Sequence, residues 1–244
     1  MQEFEDEAIV LSAKAHGESG AIVHVLTLMH GVYAAHIAGG ASRRMKSALQ
    51  PGATVQFRFR ARHAEQLGAA TVDPAGSGPD VLDDPVALLG LQSACLMTRQ
   101  ALAERQPHPG AYHALSALMG VMAWPDIWPA VYVRYEAGLL EEMGYGLDLG
   151  ACAVTGSRDD LVYVSPKSAR AVTRQAGAPY HDKLLPLPPF LLSSQGGLAA
   201  GDVRKGLDLT GFFLERHVFH PHNRPLPDVR SRLAEALADG GEAA

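Results

Sequence analysis

The sequence predicts an α+β chain, with short β-strands in its first third and α-helices after them. Three observations carry the prediction. Residues 8–73 fall into apolar or alternating runs of strand length, separated by Gly, Pro and short polar turns. The stretch Asp73–Asp84, DPAGSGPDVLDD, is dense in Gly, Pro and Asp and reads as a domain boundary. Beyond it, apolar residues recur at helical spacing, with Pro near helix starts and Gly near helix ends. The chain has 244 residues, 47% hydrophobic and 19% charged, which suits a folded chain with a sizeable core and excludes a disordered one.

The first strand is expected over Ala8–Lys14, followed by a turn at Gly17–Gly20 and a second strand, AIVHVLTLM, over Ala21–Met29. His30-Gly31 is a two-residue turn signal before a third strand, Val32–Ala38. Ser42–Leu49 reads as a short helical or coil segment stopped by Pro51-Gly52. Thr54–Arg62 alternates cleanly, with Val55, Phe57, Phe59 and Ala61 on one face and Gln56, Arg58, Arg60 and Arg62 on the other. Leu67–Val72 is the fifth strand. Five strands with a short helix between the third and fourth is the layout of an OB-fold barrel. After the boundary, Asp84 is placed to cap a helix that has Pro85 at its first position and runs to about Arg105. Further helices are expected over Ala111–Ala123, Pro129–Met143 with Gly144 as its cap, Pro166–Ala176, Leu198–Phe219 and Val229–Ala238. Gly150–Val164 reads as an irregular insert with a small hairpin, Pro186–Phe190 as a proline-rich loop, and Gly240–Ala244 as a frayed tail. The expected domains are 1–78 and 79–244, the second interrupted by an insert at about 150–180.

Net charge is −5, which by itself argues against nucleic-acid binding, but the charge is segregated. Residues 1–7 hold Glu3, Glu5, Asp6 and Glu7, whereas residues 12–64 hold Lys14, Arg43, Arg44, Lys46, Arg58, Arg60 and Arg62 against one acid, Glu18. Arg58, Arg60 and Arg62 on one strand face stand about 6–7 Å apart, close to the spacing of successive phosphates. With Arg43, Arg44 and Lys46 they form a candidate groove for a nucleic-acid backbone, bound without sequence readout. Phe57 and Phe59 belong to the core face, and Tyr33 is left as a candidate exposed ring. Lys167, Arg170 and Arg174, at i, i+3 and i+7 of the expected helix, make a second basic patch.

Catalytic readings find little support. His217, His220 and His222 are close in sequence, but Pro221 interrupts them and no HExxH, cysteine pair or carboxylate partner accompanies them. Ser165 and Lys167 are explained by a helix start. Cys95 and Cys152 exclude a disulfide framework and a four-cysteine zinc site, and suit a reducing, cytosolic setting. The acidic start is no signal peptide, and no run of about 18 apolar residues occurs. No cofactor, metal or membrane is expected.

The run LLEEMGYGLDLGACAVTGSRDDLVYVSPKSARAV at 139–172 resembles the bacterial RecO family of recombination mediators. The opening AIVLSAKAHGESGAIVHVLTLMHGVYAAHIAGGASRR and the closing RPLPDVRSRL are similar to the same family, so the resemblance covers nearly the whole length. It implies an N-terminal OB-fold and an α-helical C-terminal domain. Some members carry a four-cysteine zinc site in the insert. This chain keeps Cys152 alone there, which implies a degenerate, zinc-less insert held by packing. The resemblance further implies a protein that is not an enzyme. It would bind single- and double-stranded DNA and anneal complementary strands. It would work with RecR and with the acidic C-terminal tail of single-stranded DNA-binding protein, and so help load RecA. A cytoplasmic, nucleoid-associated location follows. For the tail, the candidates are Arg134, among Val131, Tyr132 and Leu139, and Arg99, near Leu96 and Leu102.

Overall fold

A computed structural model of the chain describes residues 1–43, 45–63, 66–76, 78–193 and 196–239. By compactness these divide into two units, Met1–Ala123 and Trp124–Ala244.

The first unit is built on five strands: β1 (Gln2–His16), β2 (Gly20–Thr27), β3 (Gly31–Ile37), β4 (Thr54–Ala61) and β5 (Gly68–Gly76). They close into a barrel in the order β1-β2-β3-β5-β4. All pairs are antiparallel except β3 with β5, where Ala35 stands opposite Gly68. Closure depends on β1 pairing twice. Its second half runs along β2 and its first half along β4, with a register irregularity between Val10 and Ser12 where the strand bends. Inward side chains such as Val10, Val23, Val25, Phe57 and Phe59 fill the interior. Each fully buried Phe or Val contributes about 1.5–3 kcal/mol by leaving water. Tyr33 is in this core and only 3% exposed, so it is not a free stacking ring.

β1 begins six residues earlier than the expected Ala8. The acidic stretch is itself a strand because it alternates: Glu3, Glu5 and Glu7 point outward, while Phe4 packs on the barrel core and Asp6 is buried. The Asp6 carboxylate accepts the Met29 backbone N–H at 2.8 Å and stands 2.9 Å from His30 Nδ1, tying the strand to the β2–β3 turn. Gly31 ends that turn at φ 81°, and a Cβ there would fall 1.7 Å from the Gln106 carbonyl oxygen. Only glycine meets both conditions.

Two helices complete the first unit: α1 (Pro85–Ala101) and α2 (Pro109–Val121). Asp84 caps α1 as expected, its carboxylate accepting the N–H groups of Val86 and Ala87 at 2.9 and 3.0 Å. α1 stops at Ala101, short of the expected Arg105. It lies against β1, where Arg99 donates to Ser12 Oγ at 3.1 Å and the Cys95 thiol faces the Val10 carbonyl at 3.9 Å. The Tyr112 hydroxyl of α2 donates to Glu7. The composition break near residue 78 therefore marks the end of the strands, and the compact unit runs on to Ala123.

The second unit holds α3 (Trp128–Glu142), α4 (Arg174–Gly177), α5 (Asp202–Leu214) and α6 (Asp228–Asp239), with a sheet of β6 (Leu161–Val164), β7 (Ala171–Thr173) and β8 (Leu185–Pro186) in the order β7-β6-β8. The proline-rich loop thus starts at the last residue of β8 and turns into a short 3-10 helix over Pro189–Leu191. The helix expected over Pro166–Ala176 forms only at its end, as α4. Ser165–Arg170 is a hairpin turn with Ala169 at φ 56°, and Val172 and Thr173 pair with β6. β-Branched residues beside a ready strand partner prevail over a helical spacing of bases. α5 ends at Leu214 and continues as a π-helical turn over Glu215–Phe219. No described helix is long and apolar enough to cross a membrane. The expected frayed tail, Gly240–Ala244, lies outside the described residues.

Candidate nucleic-acid interface

On β4, Arg58 and Arg60 project outward and are exposed, and Arg62 is exposed just past the strand end. The alternation therefore forms as expected, but the stripe does not stand alone. Along the β1 side, Glu5 is opposite Arg58 and Glu3 is opposite Arg60. The Arg58 guanidinium binds Glu5 at 3.1 Å and Asp73 of β5 at 2.7 Å. The Arg58 hydrogen bond holds the Glu5 carboxyl below its usual pKa. Exposed pairs of this kind add little stability. Their electrostatic effect is larger: Arg58 is neutralised twice over, and the outer face of β1, β4 and β5 alternates in sign.

The face of β2 and β3 differs. Residues 8–53 carry Lys14, Arg43, Arg44 and Lys46 with Glu18 the only acid in the stretch. The fold gathers Lys14, Arg43 and Lys46 at the β1–β2 end. Lys14 is opposite Ile22, and Ile22 is opposite His36. His36 leans over Gly20, where a Cβ would come within 2.2 Å of its Nε2, and its ring lies 6.0 Å from that of His16. The Ala41 N–H donates to the Ser19 carbonyl at 3.0 Å, which brings the β3–β4 loop, with exposed Arg43 and Lys46, onto the β1–β2 turn. Arg44 lies outside the described residues. Further along, His24 stands 3.2 Å from Ser12 Oγ, and burial together with the Arg99 charge lowers its pKa. The β2–β3 face and the β1–β2 loop are where OB-folds bind oligonucleotides. Lys14, His16 and His36 were not read from the sequence as a set, because their proximity depends on strand register.

Lys167, Arg170 and Arg174 are exposed but do not share a helix face. Arg170 pairs with Asp148 at 3.0 Å and Arg174 with Asp160 at 3.3 Å. Lys167 sits in the turn beside Pro166, whose carbonyl accepts from Arg216 at 2.9 Å.

Arg134 emerges from α3 into a cavity of about 390 Å³ lined by Gly138, Glu141, Leu147, Leu149, Leu191 and Leu192. Its guanidinium donates to the Phe190 and Ser193 carbonyls, the latter at 2.9 Å. A cation held by backbone carbonyls among leucines suits a carboxylate with an apolar neighbour. Its expected neighbours Tyr132 and Leu139 are instead fully buried. Arg99 is half-buried and engaged by Ser12.

Among the described residues no group of three or more His, Cys, Asp or Glu side chains converges to hold a metal ion. His217 stacks between Tyr145 and Phe213, and His220 Nε2 faces Glu215 at 3.3 Å. Cys152 is buried at the centre of the insert. Thr173 donates its N–H to the sulfur at 3.4 Å, and the thiol faces Thr173 Oγ1 at 3.7 Å. Burial pushes this thiol up, but hydrogen bonds from the Thr155 hydroxyl and from the N–H groups of Thr155, Thr173 and Val154 bring it down to about 6.

Two family models match the chain: Recombination protein O N terminal over residues 1–74 and Recombination protein O C terminal over residues 82–225. A protein of Caulobacter vibrioides named DNA repair protein RecO is 64% identical over 238 residues, which is 97% of this chain and 98% of the relative. One of the same name from Phenylobacterium zucineum is 60% identical over 240 residues, covering 98% and 99%. Another from Cereibacter sphaeroides is 47% identical over 239 residues, again covering 98% and 99%.

Proposed function

The chain belongs to the RecO family of DNA repair proteins, and from that premise we propose that it is a non-enzymatic mediator that grips DNA by its backbone. It binds single and double strands, anneals complementary strands and, with RecR, helps RecA load onto strands coated by single-stranded DNA-binding protein. It does so in the cytoplasm, at the nucleoid. The observation that carries the reading is the gathering of Lys14, His16, His36, Arg43 and Lys46 at one end of a closed barrel. Cations on a rigid scaffold displace condensed counterions from phosphates, so the affinity is electrostatic and sequence-tolerant. Arg60 and Arg62 extend this surface, and Arg58 contributes least because Glu5 and Asp73 already hold it. In the second unit Lys167 is the freest of the three bases, since Asp148 holds Arg170 and Asp160 holds Arg174.

The test is a salt titration of labelled single-stranded and duplex oligonucleotides. Log affinity should fall linearly with log salt on both forms. Lys14→Glu/Arg43→Glu/Lys46→Glu should reduce affinity and flatten the slope more than Arg58→Glu does. Wild-type affinity and slope in the folded triple variant would overturn this placement.

The cavity beside Arg134 supports a second role, capture of an acidic, aromatic-ended peptide tail, whose carboxylate pairs with the guanidinium and whose ring enters among Leu147, Leu149 and Leu191. If such a peptide binds and oligonucleotides do not, at any salt, the chain is an adaptor for acidic partners and not a direct DNA binder.

A further inference from the structure

We propose that the second unit carries its own contact for single-stranded DNA, a base-stacking platform built on Tyr145 and His217 and flanked by Lys167 and Arg216. The inference rests on the DNA-binding reading above and adds a site to it.

The platform follows from how α3 ends. Gly144 takes φ 81°, the Tyr145 N–H closes back onto the Leu140 carbonyl at 2.8 Å, and the Tyr145 side chain leaves the helix 44% exposed. One face of its ring is covered. The His217 ring lies parallel to it, 4.8 Å away at 13°, and the Phe213 ring is parallel to His217 in turn, 6.1 Å away at 6°. Phe213 is 1% exposed. Three rings therefore rise from the core to the surface and end on the open side of Tyr145. His217 occupies this position through the π-helical turn at Glu215–Phe219, a feature common at functional sites. Partial burial and the neighbouring Arg216 charge lower the His217 pKa, which favours the neutral, flat ring as a stacking partner.

Two cations neighbour the stack along the chain. Arg216 precedes His217 and reaches the Pro166 carbonyl, and Lys167 follows Pro166. Both are exposed, and Lys167 has no carboxylate partner among the described residues. The acids near it in sequence have places of their own. Glu215 faces His220 at 3.3 Å, Asp148 pairs with Arg170 at 3.0 Å, Glu142 is half-buried, and Glu141 lines the Arg134 cavity. An exposed ring with adjacent cations matches a base and its flanking phosphates. Every base has a π-face, so such a contact tolerates any sequence, but it needs a base out of the helical stack. It therefore distinguishes single strands from duplex, which the phosphate contacts on the barrel do not.

The test uses the full chain with a labelled thymidine oligonucleotide and a duplex. Tyr145→Ala should weaken single-strand binding about fivefold or more while duplex binding holds, and Tyr145→Phe should retain wild-type affinity. As a measurement that needs no variant, ultraviolet crosslinking of a 5-iodouracil-substituted strand to the wild-type chain should attach to the peptide bearing Tyr145 or His217. Unchanged single-strand affinity in Tyr145→Ala, equal losses on single strand and duplex, equal losses in Tyr145→Ala and Tyr145→Phe, or crosslinks confined to the barrel would each overturn the platform and leave the barrel reading standing. A wild-type chain that binds no oligonucleotide overturns both.

Discussion

Glu136 is fully buried in α3, and a carboxylate there survives only with full compensation. Arg230 of α6 supplies it, with Nε and Nη2 on the two carboxylate oxygens at 3.0 and 2.9 Å, and the Thr210 hydroxyl of α5 adds a third donor. Burial alone would lower the Arg230 pKa, but the carboxylate beside it more than reverses this, so the guanidinium stays charged. One side chain thus pins three helices. Arg230→Ala leaves a buried, unpaired charge and should cost about 3–5 kcal/mol, read from chemical denaturation. A loss below about 1 kcal/mol would show that another group takes over the Glu136 carboxylate.

At the level of elements, the insert depends on the knot around Cys152. The folded thiol pKa of about 6 lies below its usual value, so the thiolate's stabilisation is fully present above the unfolded pKa and is lost as pH falls through about 6. The melting-temperature gap between the wild type and Cys152→Ala should therefore widen from about pH 5.5 to about pH 8.5. A gap that is constant or narrows with pH would mean that the sulfur acts only by filling space. The expectation that packing alone holds the insert missed this knot, since Thr155 and Thr173 carry no sequence signal of bonding to a distant sulfur. β4 was legible in full because Phe57 and Phe59 alternate with arginines and the period of two is unambiguous. β1 was legible only from Ala8, because a run of acids looks solvated until its outward-inward alternation is matched to a neighbour. The shortened reading hid the acids that stand beside the arginine stripe.

For the whole molecule, composition separated strands from helices, but a contact crossing that break belongs to neither pattern. Tyr112 on Glu7 and Arg99 on Ser12 join the first helices to the barrel. A fragment of residues 1–123 should therefore melt in one cooperative transition, whereas a fragment of residues 1–78 should lose that cooperativity, as followed by circular dichroism. Equal melting of the two would support a domain that ends near residue 78. The site was less legible than the fold for the same reason. Arg43 and Lys46 were visible as a basic cluster, but Lys14, His16 and His36 join them only through strand register.

The double pairing of β1 also sets a schedule. Glu3 meets Arg60 and Gln2 meets Ala61, partners that leave the ribosome some sixty residues after β1 does. The strand made first is therefore left half-paired until β4 has been made. Its β2 half forms as a local hairpin, while its acidic half waits, its backbone open to water, until β4 arrives. Closing so long a loop costs entropy that no local contact offsets, which places the slow step of folding at the seam between β1 and β4. The outward glutamates and the Asp6 carboxylate keep that waiting edge charged, and a charged edge is a poor template for pairing with a second nascent chain.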